Sequence, residues 1–468
     1  MVATAIYNLL RQELKNMETS NRDRLPTKSP VETVEFMTPQ TPIQTQIVEL
    51  WQDILGDRVG IYDNFFELGG DSIKAALFFN RLQEKWGGVF YIVSLFEAPT
   101  VAEFEAYLHK YYPELVSQIL GISASQNSTV SRPKIDSSKI QQLQQLIRPL
   151  PPRSPSLLPQ KNLPTCFILS APRSGSTLLR ILLAGHPQLF APPQLCLLQF
   201  NTLADRKNAL GGEYQFWQEG AIQAIKQIEN CSSERAIEQM QQLEAQQLTT
   251  QEFYQWLQQR LKNQLLVDKT TTYPLNLSTL QRAETDFDNP IYIHLQRHPY
   301  GAIHSFEEVK LDLTLAPFIP QLKDRDNFPF DRRELAELLW LISHQNILEF
   351  LQTVPQHRQY SLQFENLVTQ PKTTIKNLCQ FLGLDFYPEM LQPYADRQRK
   401  MTEGLNSQSG MLGDLKFYQH KSINPNVADD WKNNYSFDFL GEPTLEVARS
   451  LGYTQIISTL EEREDGEL

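Results

Sequence analysis

Two short polar motifs, about 120 residues apart, carry residue types that bind anions. The first, Ala171–Thr177, follows the apolar run Thr165–Leu169, which predicts a buried strand, and precedes Leu178–Leu183, which predicts the start of a helix. A strand, a tight turn and a helix N-terminus leave backbone N–H groups available to an anion. The motif is not a Walker A loop, because the G-x-x-x-x-G-K-[ST] spacing is missing. Its side chains still suit a phosphate or sulfate ester, through the guanidinium of Arg173 and the hydroxyls of Ser174, Ser176 and Thr177.

The second motif begins at Arg297, directly after the apolar run Ile291–Gln296, which predicts another buried strand. Ser305 follows eight residues later and comes within reach if a helix begins at Pro299. This pair can hold a second phosphate, separate from the one on the first loop. Either motif alone is typical of an ordinary capped loop. Both together, each after an apolar strand, indicate a nucleotide that is phosphorylated at both ends of its ribose.

The two motifs resemble those of the sulfotransferases, whose donor, 3′-phosphoadenosine 5′-phosphosulfate (PAPS), is such a nucleotide. The resemblance implies that the Pro-Arg-Ser-Gly-Ser-Thr loop binds the 5′-phosphosulfate, with the backbone N–H groups of Ser174, Gly175, Ser176 and Thr177 around the phosphate. It implies that Arg297 and Ser305 bind the 3′-phosphate and that Arg173 stabilises the leaving group. Lys269, at the end of a third predicted strand, either contacts the sulfuryl oxygens or is an ordinary surface lysine.

The general base is the open question of this site. Curacin-type sulfotransferases carry a stretch similar to Pro-Pro-Glu-Leu-His-Leu-Leu, whose His is the expected base, whereas Gln194 and Cys196 stand at the Glu and His positions here. Cys196 can accept a proton only as a thiolate, which needs a positive neighbour to lower its pKa. Alternatively the base has moved to a residue near the second motif, or the domain has lost sulfuryl transfer and kept a carrier and docking role. The candidates for a moved base are His298, His304, Glu307 and Glu308.

A second recognisable unit lies upstream, in Asp63–Ile73. Its Phe-Phe-Glu-Leu-Gly-Gly-Asp-Ser-Ile sequence resembles the core motif of thiolation, or acyl and peptidyl carrier, domains. Gly69-Gly70 permits a tight turn that places Ser72 at the exposed start of a helix. The resemblance implies that Ser72 carries a 4′-phosphopantetheine arm, and that a phosphopantetheinyl transferase attaches it.

The pairing of a carrier with a sulfotransferase resembles modules of curacin-type polyketide synthases and cyanobacterial olefin synthases. There the sulfotransferase acts on a β-hydroxyacyl chain tethered to the carrier, and a thioesterase follows. Because this chain ends at Leu468, without room for a thioesterase, a separate enzyme is expected for that step. The other expected partners are upstream and downstream synthase modules, of the polyketide or nonribosomal peptide type.

The expected fold class is α/β: a P-loop-like parallel sheet flanked by helices, preceded by a small all-α carrier domain of four helices. Predicted strands alternate with predicted helices, which indicates a parallel sheet with ligands at the strand C-termini. Besides the strands before the two motifs, the predicted strands are Leu265–Lys269 and Gln359–Leu367. The predicted helices are Lys139–Ile147, Gln215–Ile228, Ala236–Gln246, Thr250–Leu261, Leu335–Leu351 and Thr374–Leu382.

The domain organisation follows from these motifs and from a Pro-, Ser- and Gln-rich stretch between them. We expect an N-terminal amphipathic helix or docking segment at 1–36, the carrier at 37–113, a linker at 114–163 and the sulfotransferase at 164–468.

Composition excludes several other classes of protein. The net charge of −11 argues against nucleic acid as a partner. The four cysteines form no C-x-x-C pair, which argues against a structural metal site. No apolar run approaches the roughly 18–20 residues of a membrane span, and Met1–Asn21 lacks the pattern of a signal peptide. The expected location is therefore cytoplasmic.

Overall fold

The computed structural model describes residues 36–121, 134–152, 160–405, 417, 421–435 and 438–453. The chain divides into two compact units, with the boundary between Ser128 and Thr129. The N-terminal helix predicted within 1–36 lies outside the described residues. No helix of the described part is both long and apolar enough to cross a membrane.

The described part of the first unit, residues 36–121, is helical, as predicted. Four helices lie within the predicted carrier bounds, and a fifth follows them. They are α1 (Pro42–Leu55), α2 (Ser72–Trp86), α3 (Val93–Glu97), α4 (Val101–Tyr111) and α5 (Pro113–Leu120). The side chains of Trp51, Phe65, Phe78 and Phe104 are fully buried and form its aromatic core.

The structure gives a physical reason for each residue before the serine in the Gly-Gly-Asp-Ser motif. Gly69 has a φ of +85°, which is strained for any residue with a side chain. A Cβ atom at Gly70 would lie 2.3 Å from the ring of Phe65, so this position also requires glycine. The carboxylate of Asp71 then accepts a 2.8 Å hydrogen bond from the backbone N–H of Lys74 and caps α2. Ser72 is the first residue of that helix, where the sequence predicts it.

The second unit contains a parallel five-stranded sheet flanked by helices, as predicted. Its strands are β1 (Thr165–Leu169), β2 (Leu189–Phe190), β3 (Leu265–Lys269), β4 (Ile291–Gln296) and β5 (Gln359–Gln363). They pair in the order β2-β3-β1-β4-β5. Thr165 is in register with Leu266, Cys166 with Ile291, and Tyr292 with Gln359.

Twelve α-helices are described in the second unit, and the six whose two ends were predicted begin and end within a few residues of those bounds. The twelve are α6 (Ser137–Leu146), α7 (Ser176–Ala184), α8 (Leu203–Ala209), α9 (Glu219–Glu229), α10 (Ser233–Ala245), α11 (Thr250–Arg260), α12 (Leu277–Asp286), α13 (Pro299–Val309), α14 (Arg332–Leu351), α15 (Phe364–Thr369), α16 (Pro371–Phe381) and α17 (Glu442–Ser450).

Successive side chains of each strand point to opposite sides of the sheet, and both sides are apolar here. Phe167, Leu266 and Tyr292 belong to the core on one face. Ile168 and Val267 belong to the core on the other face. Because both faces are covered, the strands read as nearly continuous apolar runs, which is why they can be recognised in the sequence.

One strand prediction was wrong at its end. The run Gln359–Leu367 was expected to be a single strand, but β5 ends at Gln363 and α15 begins at Phe364. Phe364, Leu367 and Val368 are buried at helical spacing, so burial on the sheet favours a helix here.

The described residues of the predicted linker are divided between the two units. Helix α5 continues the first unit, whereas residues 134–152 belong to the second. In the second unit, the Lys139 ammonium on α6 lies 2.6 Å from the carboxylate of Glu334. The backbone N–H of Arg148 donates a 2.8 Å hydrogen bond to the carbonyl of Phe318, which ties part of the Pro-rich run to this unit.

Candidate functional site

The loop between β1 and α7 presents a helix N-terminus to a cleft. Arg173 and Gly175 have φ angles of +64° and +84°, so the chain makes a tight left-handed turn before α7. Gly175 is the N-cap of that helix, with no side-chain hydrogen bond to cap it. The first N–H groups of α7 therefore lie at the positive end of the helix, where an anion is favoured.

The sheet topology explains why this loop and the second motif meet. Strand β1 lies between β3 and β4, and the chain leaves it first toward one edge of the sheet and later toward the other. The carboxyl ends of β1, β3 and β4 are thus a topological switch point, the usual place for a ligand in an open parallel sheet. Arg173, Lys269 and Arg297 follow or end these three strands.

Side chains of the two predicted motifs contact each other directly. The Arg173 guanidinium Nε donates a 3.1 Å hydrogen bond to Ser305 Oγ. Arg297 Nη1 donates a 2.8 Å hydrogen bond to the backbone carbonyl of Arg173. The two hydrogen bonds join residues that are 132 and 124 positions apart in the chain, so the two motifs form one site.

Arg297 is held from several sides and remains cationic. Its Nη2 donates to the carbonyl of Val427 at 3.3 Å, and its Cζ lies 4.4 Å from the ring centroid of Phe364. The indole N–H of Trp340 donates a 3.0 Å hydrogen bond to the Arg297 carbonyl. Burial lowers the pKa of the Arg297 guanidinium to about 10, so it keeps its charge at neutral pH. Its Nε is buried and has no hydrogen-bond partner among the described residues, which fits an anionic ligand.

Lys269 reaches the same loop from the end of β3. Its ammonium lies 3.5 Å from Thr177 Oγ1, and the residue is buried. Beside it, Gln194 Oε1 accepts hydrogen bonds from the N–H and Oγ1 of Thr271, at 3.2 and 3.0 Å. Gln194 is therefore part of the site wall, in a role that an amide can fill without accepting a proton.

A buried hydrogen-bond network fixes the end of β3. The hydroxyls of Tyr254 and Tyr273 both donate to the Asp268 carboxylate, and Thr270 Oγ1 donates to its other oxygen at 3.1 Å. Asp268 is fully buried, and burial raises the pKa of its carboxyl. This network positions the backbone from which Lys269 and Thr271 extend.

Residues of the two motifs, together with Lys269, Gln194 and Thr271, line a cleft of about 310 Å³. Its side chains include three cations, Arg173, Lys269 and Arg297, which is the local concentration of positive charge that a polyanionic ligand needs in an acidic protein. Ser176, Thr177 and Ser305 also line it, whereas Ser174 does not. The Ser174 hydroxyl is buried and has no partner among the described residues, so at this position only the backbone remains as a candidate anion donor.

The structure argues against Cys196 as the base. The residue is fully buried and does not line the cleft. Burial raises the pKa of its thiol to about 12, which outweighs the opposing effect of the neighbouring Arg206. The Arg206 guanidinium is itself directed to backbone carbonyls, with a 2.8 Å hydrogen bond to Leu195. Cys196 is therefore a neutral thiol at physiological pH.

Two of the four alternative bases are held away from the cleft. The His298 ring stacks on Trp431 at 4.3 Å, and burial lowers its pKa to about 3. Glu307 accepts a 3.0 Å hydrogen bond from Arg333 Nε and a 2.5 Å one from the Tyr435 hydroxyl. The other two, His304 and Glu308, line the cleft.

Sequence reasoning missed several residues that complete the site. Phe364, Val368, Ile423, Asn424 and Val427 line the cleft beside Arg297. The carboxylate of Glu365 accepts a 2.9 Å hydrogen bond from the backbone N–H of His298 and one from the hydroxyl of Tyr453. The sequence signal that could have pointed to Phe364 and Glu365 is the Phe-Glu-Asn run after β5, because it follows the end of a parallel strand, where ligands usually bind.

Comparison with known proteins agrees with this geometry. The model of the sulfotransferase family matches residues 164–389, and the model of the phosphopantetheine attachment site matches residues 45–108. The solved sulfotransferase domain from the curacin biosynthetic pathway is 36% identical, covering 63% of this chain and 99% of that domain, with a TM-score of 0.57. This chain belongs to the sulfotransferase family. It is a carrier–sulfotransferase didomain.

Further relatives match each part of the didomain. The sulfotransferase domain of the Synechococcus PCC 7002 olefin synthase is 35% identical, covering 64% of this chain and 98% of that domain, with a TM-score of 0.55. Surfactin synthase subunit 2 of Bacillus subtilis (strain 168) is 38% identical over 76 residues, which is 16% of this chain and 2% of that protein. The didomain thus spans a small fraction of the peptide synthases that its carrier resembles.

Proposed function

We propose that the didomain transfers a sulfuryl group from 3′-phosphoadenylyl sulfate (PAPS) to the β-hydroxyl of an acyl or peptidyl chain carried on Ser72. The observation that carries this proposal is the contact between the two anion motifs, through Arg173, Ser305 and Arg297. It supports a site for two phosphate groups on one small molecule. The family of the chain supports sulfuryl transfer over other reactions of such nucleotides.

The donor supplies the sulfuryl group and leaves as adenosine 3′,5′-bisphosphate. Arg297 and Ser305 are suited to its 3′-phosphate, and the N–H groups from Ser174 to Thr177 to its 5′-phosphate. Arg173 and Lys269 offer two cations where negative charge develops on the leaving group and the sulfuryl oxygens. As in phosphoryl transfer, positioning and charge stabilisation are the expected contributions of the protein.

The carrier unit supplies the acceptor. A chain attached to Ser72 through 4′-phosphopantetheine is held near the sulfotransferase unit at an effective concentration of roughly millimolar. The partners in this proposal are a phosphopantetheinyl transferase, synthase modules that load and extend the chain, and a separate thioesterase. The carrier-type relatives among peptide synthases support this setting.

The test is intact-mass spectrometry on the phosphopantetheinylated didomain loaded with a 3-hydroxyacyl group, with and without PAPS. We expect the gain of one sulfuryl group only with PAPS. Arg173→Ala should abolish the gain. Arg449→Ala is the matched control, because Arg449 lies on α17 and pairs with Glu442 on the surface.

A second candidate function is a non-catalytic carrier and docking protein, and it is favoured by Gln194, which cannot ionise, and by Cys196, whose thiol stays neutral at physiological pH. The second function would be supported, and the first contradicted, if the didomain binds adenosine 3′,5′-bisphosphate but gains no sulfuryl group with any of several hydroxyacyl chains.

A further inference from the structure

We propose that His304 is the general base of the didomain and that Glu308 positions its imidazole; this inference rests on the proposed sulfuryl transfer. His304 Nε2 lies 3.8 Å from the Glu308 carboxylate, one helical turn further along α13. Both side chains line the cleft that also contains Arg173 and Lys269. The imidazole is thus near the cations that are suited to the reacting group.

One face of α13 and of the turn after it forms this wall of the cleft. His304 and Glu308 lie four residues apart on α13, Leu311 and Leu315 follow in the turn after that helix, and all four line the cleft. Side chains at this spacing lie on one side of a helix. Ser305, the next residue, is hydrogen-bonded to Arg173, so the same helix contacts the first anion motif. The helix that is suited to the donor thus also presents an imidazole to the acceptor.

The wall beyond His304 is apolar. Leu311, Leu315 and Trp217 line the cleft there, and the Trp217 indole N–H is engaged by a 3.0 Å hydrogen bond to the carbonyl of Thr314. This surface suits the hydrocarbon part of an acceptor. A hydroxyl on an otherwise apolar chain can therefore lie beside the imidazole.

Titratable and charged groups approach His304 from several elements. The Glu308 carboxylate faces the imidazole from the same helix, and the ring centroids of His304 and Tyr435 lie 5.9 Å apart. Glu307, on the same helix, is paired with Arg333, and Asp430 is a further carboxylate in the lining of the cleft. Arg173 approaches from the loop after β1, where it donates a hydrogen bond to Ser305, the neighbour of His304 in the chain.

The acceptor oxygen forms a bond to sulfur while the bond between sulfur and the bridging phosphate oxygen breaks. The acceptor proton moves to the neutral imidazole of His304, and the electron pair of the broken bond leaves on the bisphosphate. Glu308 contacts neither reactant in this proposal and acts through the imidazole.

The experiment compares His304→Gln and Glu308→Gln with the wild-type didomain by single-turnover transfer to the loaded carrier. We expect the rate constant to fall by about 10²–10⁴-fold in His304→Gln, the usual range for loss of a general base, and less in Glu308→Gln. Calorimetric affinity for adenosine 3′,5′-bisphosphate should stay unchanged in both. His357→Gln, in the exposed turn before β5, is the matched control and should keep the wild-type rate.

Two further readouts separate a base from a structural residue. The wild-type rate should rise with pH through the imidazole pKa, and this limb should disappear in His304→Gln. Added imidazole should restore part of the rate in His304→Ala but not in Arg173→Ala. The circular dichroism and melting temperature of each variant identify any that fails to fold.

The outcomes distinguish this inference from the function on which it rests. Transfer by the wild type, together with an unchanged rate and pH profile in His304→Gln, overturns only the assignment of the base. Absence of transfer by the wild type overturns both proposals. Loss of transfer in His304→Gln with intact nucleotide binding and imidazole rescue supports both.

Discussion

Replacing Gly175 by alanine tests the loop before α7 more sharply than any change of charge. A Cβ atom at this position would lie 2.2 Å from Cδ2 and 2.4 Å from Cε2 of Phe364. The ring of Phe364 is buried in the core on one face of the sheet, so it cannot turn away without disturbing its neighbours. The Arg297 guanidinium packs on the same ring, so a displaced ring also displaces this cation.

Two costs add up in Gly175→Ala. A residue with a side chain in the left-handed region costs about 1–2 kcal/mol, and overpacking of a core costs about 1–3 kcal/mol. We therefore expect the free energy of unfolding of the second unit to fall by about 2–5 kcal/mol. The affinity for adenosine 3′,5′-bisphosphate should fall as well, because Arg297 depends on Phe364.

The matched control is Gly383→Ala. Gly383 has a φ of +68°, but no atom of the described residues lies within 4 Å of a Cβ built there. This variant should show only the conformational cost of about 1–2 kcal/mol and unchanged nucleotide affinity. Urea unfolding and calorimetry measure both quantities.

A double variant isolates the clash. Phe364→Ala removes the ring that the new Cβ would strike, so Gly175→Ala should cost less stability in the Phe364→Ala background than in the wild type. Equal unfolding free energies and equal nucleotide affinities for Gly175→Ala and Gly383→Ala would refute the steric reasoning.

Three further predictions concern other described residues. Cys196→Ala should leave the rate and the pH profile of sulfuryl transfer unchanged, because burial keeps the thiol neutral and outside the cleft; a lost alkaline limb would contradict this. Arg297→Lys should weaken binding of adenosine 3′,5′-bisphosphate by about tenfold or more in calorimetry, because an ammonium cannot reproduce the guanidinium contacts with Arg173 and Val427; unchanged affinity would exclude this role. Burial raises the pKa of Glu337 from 4.5 to about 7, so its contribution to stability is present below pH 4.5 and is lost as the pH rises toward 7. Glu337→Gln should reduce this pH dependence in urea unfolding, because an amide does not titrate in this range. The amide oxygen can still accept the hydrogen bonds from Gly441 and Thr444, so the fold is kept. An unaltered profile would show that other groups cause the pH dependence.

The strands and the two anion motifs could be predicted because their signals are local. Strands buried on both faces, such as β1 and β4, are mostly apolar, and the polar turns after them are conspicuous. The two-residue strand β2 is too short to give such a pattern. The helical start at Phe364 could not be separated from β5, because apolar residues near the end of a strand are compatible with both.

The parts of the site that depend on distant contacts could not be predicted. Cys196 and His298 have ordinary sequence contexts, and only the folded chain buries them beneath Thr270 and Trp431. His304 and Glu308 could be named as candidates but not ranked, since helical spacing does not reveal which face of α13 meets the cleft. Their position follows from the packing of that helix beside the loop that contains Arg173.

The most direct test of a cleft for both phosphates is calorimetry of the didomain with adenosine 3′,5′-bisphosphate and with adenosine 5′-phosphate. If the ends of β1, β3 and β4 bind a nucleotide through two separate phosphates, the bisphosphate should bind at least about tenfold more tightly, as expected for one additional charged hydrogen-bond group. Equal affinities, or no binding of either nucleotide, would contradict a site built from Arg173, Ser305 and Arg297 for this donor.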